Sequence, residues 1–132
     1  MTDLQHVVHP AGMAPGNGYS HVVSGRGRLV AISGQVSVDE HGELVGEGDP
    51  AAQATQVFAN IGRCLAAAGA SFADVVKLTF FLTDAAQLPA VRAARDAVLD
   101  TERPPASSAV IVAGLIRPEF LLEIEAYALV AD

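Results

Sequence analysis

The stretch that decides the fold is Asp49–Leu82, DPAAQATQVFANIGRCLAAAGASFADVVKLTFFL. Asp49 is a typical helix N-cap residue, Pro50 suits the first helical position, and Gly69 is a natural C-terminal stop. Between them the apolar residues recur at spacings of one, three and four, as on the buried stripe of an amphipathic helix. We therefore predict a helix over 50–68. The apolar run that ends the stretch, VVKLTFFL, predicts a buried strand.

Outward from this unit, the chain reads as a single α+β domain over residues 1–132 with an irregular arm over 1–17. Asp84 caps a second predicted helix over 85–100. The other predicted strands are 18–24, 28–38, 107–113 and 121–130, with a brief return strand at 43–45. We expect one mixed sheet with both helices packed on one of its faces.

The composition excludes several classes of function. The chain has 132 residues, of which 51% are hydrophobic, and a net charge of −7. An acidic protein is poorly suited to nucleic acid or to anionic membrane surfaces, and no apolar run approaches the ~20 residues that span a bilayer. Because the N-terminus lacks a signal-peptide pattern and Cys64 is the only cysteine, we expect a cytoplasmic protein. The mean hydropathy of +0.35 favours self-association.

Side-chain alternation gives the sheet an apolar face, expected to meet the helices, and a mixed face. The alternation assigns Gly34 and Val36 to the apolar face. The mixed face carries Leu29, Ser33, Gln35, Lys77, Thr79, Phe81, Glu123, Glu125 and Tyr127. A solvated face would usually be more charged, so this mixture favours contact with other copies of the chain, with polar groups in clefts between them. An ordinary solvated face is the alternative. A glycine within a strand also suggests close approach of another backbone or of a ligand.

Few side chains on this chain suit catalysis or metal binding. The spacing His6-Val-Val-His9 falls in the predicted arm without an acidic cluster, and Cys64 lies near the apolar stripe of the first helix, so we predict no metal site and no thiol nucleophile. Glu123 and Glu125 alternate with apolar residues. A carboxylate on a covered face must be paired, for instance with Lys77, or its pKa rises and it can act as an acid or base.

Several segments, in order over residues 16–130, together resemble the YjgF/Rid family of RidA-like reactive-intermediate deaminases. They are Gly18-Tyr19-Ser20, Ile32-Ser33-Gly34-Gln35-Val36, Gln53 through Asn60 to Leu65, Ala68-Gly69-Ala70, Asp74-Val75-Val76-Lys77, Asp84, Pro105-Ala106 and Glu123-Ile124-Glu125-Ala126. The resemblance implies a chorismate-mutase-like α+β fold that forms homotrimers with ligand clefts between the subunits.

The resemblance also implies a reaction, the hydrolysis of small enamine or imine intermediates to a keto acid and ammonia. Such intermediates are released by pyridoxal-phosphate enzymes that act on amino acids. Glu123 would hold the attacking water, while Tyr19, Ser33 and Gln35 would bind the substrate. A positioned carboxylate and a fixed substrate suffice for this chemistry, so no metal or organic cofactor is expected.

The sequence departs from the family where active members bind the substrate carboxylate. The family arginine of this segment is replaced by Ser107, and the cysteine often found two positions later is replaced by Ala109. Loss of such a charge-assisted contact costs about 1.5–3 kcal/mol. We consider the hypothesis that Arg92, where many relatives have asparagine, partly replaces the missing cation. The alternative is that both Arg92 and Arg95 lie on the solvated face of the second helix.

Two functions remain open from the sequence. The first is a Rid-type hydrolase of reactive enamines or imines, with an altered substrate preference because Ser107 replaces the arginine. The alternative is a trimer that keeps the cleft between subunits and binds a small metabolite or another protein without turnover. A ribonuclease, an older attribution within the family, is disfavoured by the net charge of −7.

Overall fold

The computed structural model describes residues 3–131, and within that range it contains two α-helices and six strands. The helices are α1 (Pro50–Ala67) and α2 (Leu88–Asp96). The strands are β1 (Gln5–Val7), β2 (Val22–Ser24), β3 (Arg28–Gln35), β4 (Val75–Leu82), β5 (Ala106–Ile111) and β6 (Leu122–Val130). Met1, Thr2 and Asp132, which the predicted domain includes, lie outside the described residues.

Four strands form one mixed sheet in the order β3-β6-β4-β5. Strand β6 is antiparallel to both of its neighbours, whereas β5 runs parallel to β4. Apolar side chains of α1, α2 and the sheet share one buried core, so both helices cover the same face. The opposite face carries Glu123, Glu125 and Tyr127, and we call it the open face. The predicted α+β fold is confirmed. No helix in residues 3–131 is long and apolar enough to cross a membrane.

Helix α1 follows its sequence signals closely. The Asp49 carboxylate accepts a hydrogen bond from the Ala52 backbone N–H at 3.1 Å, as expected of an N-cap. The apolar stripe of the helix is completely buried against the sheet, with Val57, Phe58 and Ile61 at most 1% exposed. The predicted helix over 50–68 is therefore confirmed to within one residue.

Two predicted segments need correction. The arm expected to be irregular contains β1, because Gln5–Val7 pairs with β2 in a separate two-stranded ribbon. The second helix is shorter than predicted, since a 3₁₀ turn replaces its first residues and its α-helical part ends at Asp96. Val98, expected to face inward, is therefore 37% exposed, and Arg95 is buried instead.

Irregularities in two strands change the predicted alternation. Between Ile32, opposite Ala126, and Gln35, opposite Ile124, β3 contains one residue more than β6. This bulge moves Gly34 to the open face and Gln35 to the helix-covered face, the reverse of the prediction. A second shift at the start of β4 places Val75 in the core, where Val76 was expected.

A buried glutamine fixes the loop that leads into β6. The Gln53 side chain, 0% exposed, donates to the backbone oxygens of Gly46 and Glu119 at 2.9 and 3.1 Å. It also accepts a hydrogen bond from the Leu121 N–H at 2.9 Å. These contacts satisfy three backbone groups of two loops at once, and they set the position from which β6 and Glu123 begin.

Candidate active site

The predicted catalytic carboxylate, Glu123, lies over Gly34 on the open face. It is opposite Phe81 of β4 and is half-buried. A Cβ atom added to Gly34 would lie 2.7 Å from Cδ and 3.0 Å from Cγ of Glu123, and closer still to Oε2. Only a glycine leaves room for the carboxylate at this point of β3. The neighbour at this glycine is therefore neither another backbone nor a ligand, as the sequence suggested, but the Glu123 side chain of the same chain.

The β3 bulge separates the two predicted binding residues beside Gly34. Ser33 is exposed and lies with Gly34 opposite Glu125, on the open face. Gln35 points to the other face, and its side-chain Nε2 donates to the Ser33 carbonyl oxygen at 3.0 Å. Ser33 therefore lies on the same face of the sheet as Glu123, whereas Gln35 supports the bulge. A bulge has no reliable signature in a single sequence, so alternation alone missed this reversal.

The ion pair considered for the glutamates does not form within the described residues. The Lys77 ammonium instead donates to the Ser108 hydroxyl at 2.8 Å, across the β4–β5 pair. Neither Glu123 nor Glu125 takes part in an ion pair between described residues. The Glu123 carboxylate therefore remains available for water or for a ligand on the open face.

Tyr19 is carried by a segment that is anchored to the start of β5. The next residue, Ser20, donates from its hydroxyl to the Pro104 carbonyl at 2.6 Å and from its N–H to the Pro105 carbonyl at 3.1 Å. Ser20 also forms an isolated parallel bridge with Ala106. The Tyr19 ring is half-buried and meets the His21 ring edge-on, with centroids 5.3 Å apart. This anchoring places Tyr19 beside the segment in which the family arginine is missing.

Ser107 and Ala109 lie on the opposite side of the sheet from Glu123. They pair with Leu78 and Phe80, two core-facing residues of β4. Because residues paired across adjacent strands share a face, both belong to the helix side, where edge strand β5 is poorly covered. One chain therefore does not bring Ser107 together with Glu123. A site that uses both needs a second copy.

The two arginines of α2 have different environments. Arg92 is half-buried, and no hydrogen bond of its guanidinium is found between residues 3 and 131. Arg95 is only 7% exposed, and its Nε donates to the Asp96 carboxylate at 2.9 Å. The expectation that both arginines are solvated is therefore wrong for Arg95. Its spacing of seven from Leu88 and four from Val91 places it on the inward stripe, a signal already present in the sequence.

Three cavities found among residues 3–131 are lined by residues other than the predicted site residues. A groove of about 450 Å³, lined by residues such as His6, Asp74 and Arg103, lies at the far end of β4 and β6 from Glu123. Among residues 3–131, no group of three His, Cys, Asp or Glu side chains is arranged to hold a metal ion.

Three large apolar side chains are exposed on the same face of the sheet as the candidate site. Leu29 is 64% exposed, Val110 43% and Tyr127 41%. All three share the open face with Glu123 by their register. Several large apolar side chains exposed on one face of a sheet favour contact of that face with another protein.

Two carboxyl groups outside this face have a lowered pKa. Hydrogen bonds from the backbone N–H groups of Glu43 and His41 lower the pKa of Asp39 in the turn after β3. A hydrogen bond from its own N–H, and then one from Arg117, lower the pKa of Glu119 before β6. At pH values above its ordinary pKa, each of these carboxylates stabilises the folded state. This stabilisation is lost as the pH falls through the lowered pKa that the group has in the folded state.

Comparison with known proteins gives one consistent result. The family model described as "Endoribonuclease L-PSP" matches residues 10–130. A RutC family protein of Synechocystis is 36% identical over 97% of this chain and 95% of its own length. The 3-aminoacrylate deaminase RutC of Acinetobacter baylyi is 35% identical over 76% of this chain and 78% of its own. The crystal structure of YyfB, a Rid family protein of Yersinia pestis, is 40% identical and covers 97% of this chain and 99% of its own, with a TM-score of 0.87.

Proposed function

The chain belongs to the YjgF/RidA family, and from this premise we propose that it hydrolyses small reactive enamines or imines with release of ammonia. The observation that carries the proposal is the Glu123 carboxylate, which lies over Gly34 on the open face without a salt-bridge partner in residues 3–131. The similarity to a 3-aminoacrylate deaminase supports a deaminating reaction over other hydrolyses.

This reaction requires the protein to fix the positions of the substrate and the water and to transfer protons between them. An enamine first tautomerises to its imine. Glu123 accepts a proton from water as the water oxygen forms a bond to the imine carbon. Transfer of this proton to the nitrogen gives a carbinolamine, and Glu123 then passes the hydroxyl proton of the carbinolamine to the amino nitrogen. The C–N bond breaks as the C=O bond forms, and ammonia leaves. Ser33, on the same face of the sheet as Glu123, would orient the water or the substrate.

We propose that the site is completed by a second copy of the chain in a homotrimer. Ser107 and Tyr19 belong to the β5 edge of the sheet, and Glu123 belongs to the open face. The exposed apolar residues Leu29, Val110 and Tyr127 supply a surface that a neighbouring copy can cover. The small-molecule ligand would then bind in the cleft between two subunits.

The net charge and the single cysteine indicate the class of substrate and the compartment. The net charge of −7 opposes the counterion-release binding on which nucleic-acid enzymes depend, so hydrolysis of a small molecule fits better than cleavage of RNA. The lone cysteine, Cys64, suits a reducing compartment, and we place the reaction in the cytoplasm.

The test is imine hydrolysis by the wild type and by Glu123→Gln. Imino acids can be generated in situ by an amino acid oxidase, and imines without a carboxylate by an amine oxidase, with catalase present. Accelerated imine loss and ammonia release are expected from the wild type. Replacement of the carboxylate by an amide should lower kcat about 100- to 10,000-fold, because general-base catalysis contributes that much.

Glu125→Gln is the matched control, two residues along the same strand and on the same face. It should lose far less activity than Glu123→Gln. Saturable binding of the keto acid without acceleration of any imine would instead support a non-catalytic binding trimer and contradict the proposal. Equal losses in the two variants would remove the special role of Glu123.

A further inference from the structure

Arg95 is a buried cation with most of its hydrogen-bond donors unused. Its side chain is 8% exposed, whereas that of its partner Asp96 is 48% exposed. The only side-chain hydrogen bond of Arg95 in residues 3–131 runs from Nε to Asp96. The two terminal nitrogens, with four of the five N–H groups, have no partner there. No fully buried side-chain nitrogen of residues 3–131 lacks a hydrogen-bond partner, so these terminal nitrogens are still accessible to solvent or to a ligand with oxygen acceptors.

The free end of this guanidinium reaches Gly18. A Cβ atom at Gly18 would lie 2.8 Å from the Nη2 atom of Arg95, and the residue has a φ of +76°. The short distance and the positive φ both favour glycine at position 18. Because glycine has no side chain, the Arg95 guanidinium fits against the backbone there. Beside it lies a cavity of about 80 Å³, lined by Gly18, Arg95, Asp96, Leu99, Asp100, Thr101 and Pro104. A space of this size suits a few non-hydrogen atoms, such as a carboxylate and one or two carbons.

The cavity lies between the two segments that lead to the predicted ligand-binding residues. Gly18 directly precedes Tyr19, and Pro104 precedes the Pro105-Ala106-Ser107 segment. Ser20 joins the two segments through its hydrogen bonds to Pro104 and Pro105. Because α2 packs on the helix-covered face, Arg95 and Ser107 are on the same side of the sheet.

We propose that Arg95 binds the carboxylate of the substrate, as the cation that Ser107 cannot supply. The two terminal nitrogens form the edge that pairs with a carboxylate in a bidentate manner. Asp96 and Asp100 also line the cavity and oppose an anion, but both are exposed, so solvent screens their charge. This inference rests on the proposed function and adds that carboxylated imines remain substrates, seated against α2.

The direct test is binding of the keto acid product, which does not require turnover. Calorimetric titration of the wild type with 2-oxobutanoate is compared with that of Arg95→Gln, with the neutral ketone butanone as a ligand that lacks the carboxylate. Loss of a charge-assisted bidentate contact should weaken keto acid binding about 10- to 100-fold and leave ketone binding unchanged. For the imines, KM should rise for carboxylated substrates only.

Three further variants make the result specific to Arg95. Arg63→Gln, on the exposed side of α1, should bind the keto acid as the wild type does. Arg95→Lys keeps the charge but not the bidentate edge, and it should bind with intermediate affinity if Arg95→Gln folds poorly. Adding Ser107→Arg to Arg95→Gln should restore keto acid binding, which a merely structural role of Arg95 would not allow.

The outcomes separate this inference from the proposed function. Keto acid binding that depends on Arg95, with no imine hydrolysis by the wild type, supports the inference while the proposed function fails. Unchanged affinity in Arg95→Gln overturns the inference, as does a wild type that does not bind the keto acid. A loss confined to Arg92→Gln would assign the role to Arg92 and also overturn it.

Discussion

At the scale of single residues, the absence of a side chain at Gly34 makes room for the Glu123 carboxylate. The sequence suggested that a glycine within this strand marks the close approach of another backbone or of a ligand. It did not point to Glu123, because the contact joins residues 89 positions apart and depends on a bulge that reverses the local alternation. For Arg95 the sequence did contain the signal. Its spacing from Leu88 and Val91 indicates the buried stripe of α2, but its charge led us to expect it in solvent.

Gly34→Ala should lower activity with little effect on stability. The new methyl group displaces the Glu123 carboxylate, and a shift of about 1 Å in a catalytic group costs about 10- to 100-fold in rate. Because the displaced atoms end a flexible side chain and Gly34 has no positive φ, the free energy of unfolding should change by less than about 1 kcal/mol.

The two effects are measured by imine hydrolysis and by urea denaturation. Gly114→Ala is the matched control, since no atom lies within 4 Å of the Cβ position there. It should behave as the wild type in both assays. Full activity in Gly34→Ala would show that the position of Glu123 over β3 has no part in the reaction.

At the scale of elements, the strength of the local signals decides what the sequence predicts. Helix α1 has an N-cap, a following proline, a clean apolar stripe and a terminal glycine, and its bounds were predicted to within one residue. Strand β4 was predicted at its observed bounds. Strand β1 was missed because its partner, β2, makes it a strand, whereas glycines and prolines dominate the flanking sequence.

Gln53 of α1 holds two loops in place, and its removal should destabilise the domain. Gln53→Leu keeps the side-chain volume but leaves the Gly46 and Glu119 carbonyls and the Leu121 N–H without their partner. With each buried unsatisfied group costing about 1–3 kcal/mol and some water able to enter, the free energy of unfolding should fall by about 2–4 kcal/mol.

Urea denaturation gives this number directly. Thr55→Ala, at an exposed position on the same helix, serves as the control and should change stability by no more than about 0.5 kcal/mol. A Gln53→Leu variant as stable as the wild type would contradict this prediction. It would show that water or other groups can replace all three contacts and hold the loop before β6.

At the scale of the whole molecule, the sequence predicts self-association from hydropathy, and we propose that the open face takes part in it. The open face exposes Leu29, Val110 and Tyr127 and also carries the half-buried carboxylate of Glu123. Glu123 and Arg95 belong to opposite faces of one sheet, so a single chain does not place them in one cavity. The sequence could name these residues but not their separation, because the separation follows from the strand register and from the side of the sheet that the helices cover.

The central claim is that imine hydrolysis takes place in a cleft shared between copies of this chain. Gel filtration with in-line light scattering, followed by the imine assay on each fraction, tests it most directly. We expect the activity to coincide with a species about three times the chain mass of 13.6 kDa. Activity in fractions that contain only the 13.6 kDa chain would contradict the account.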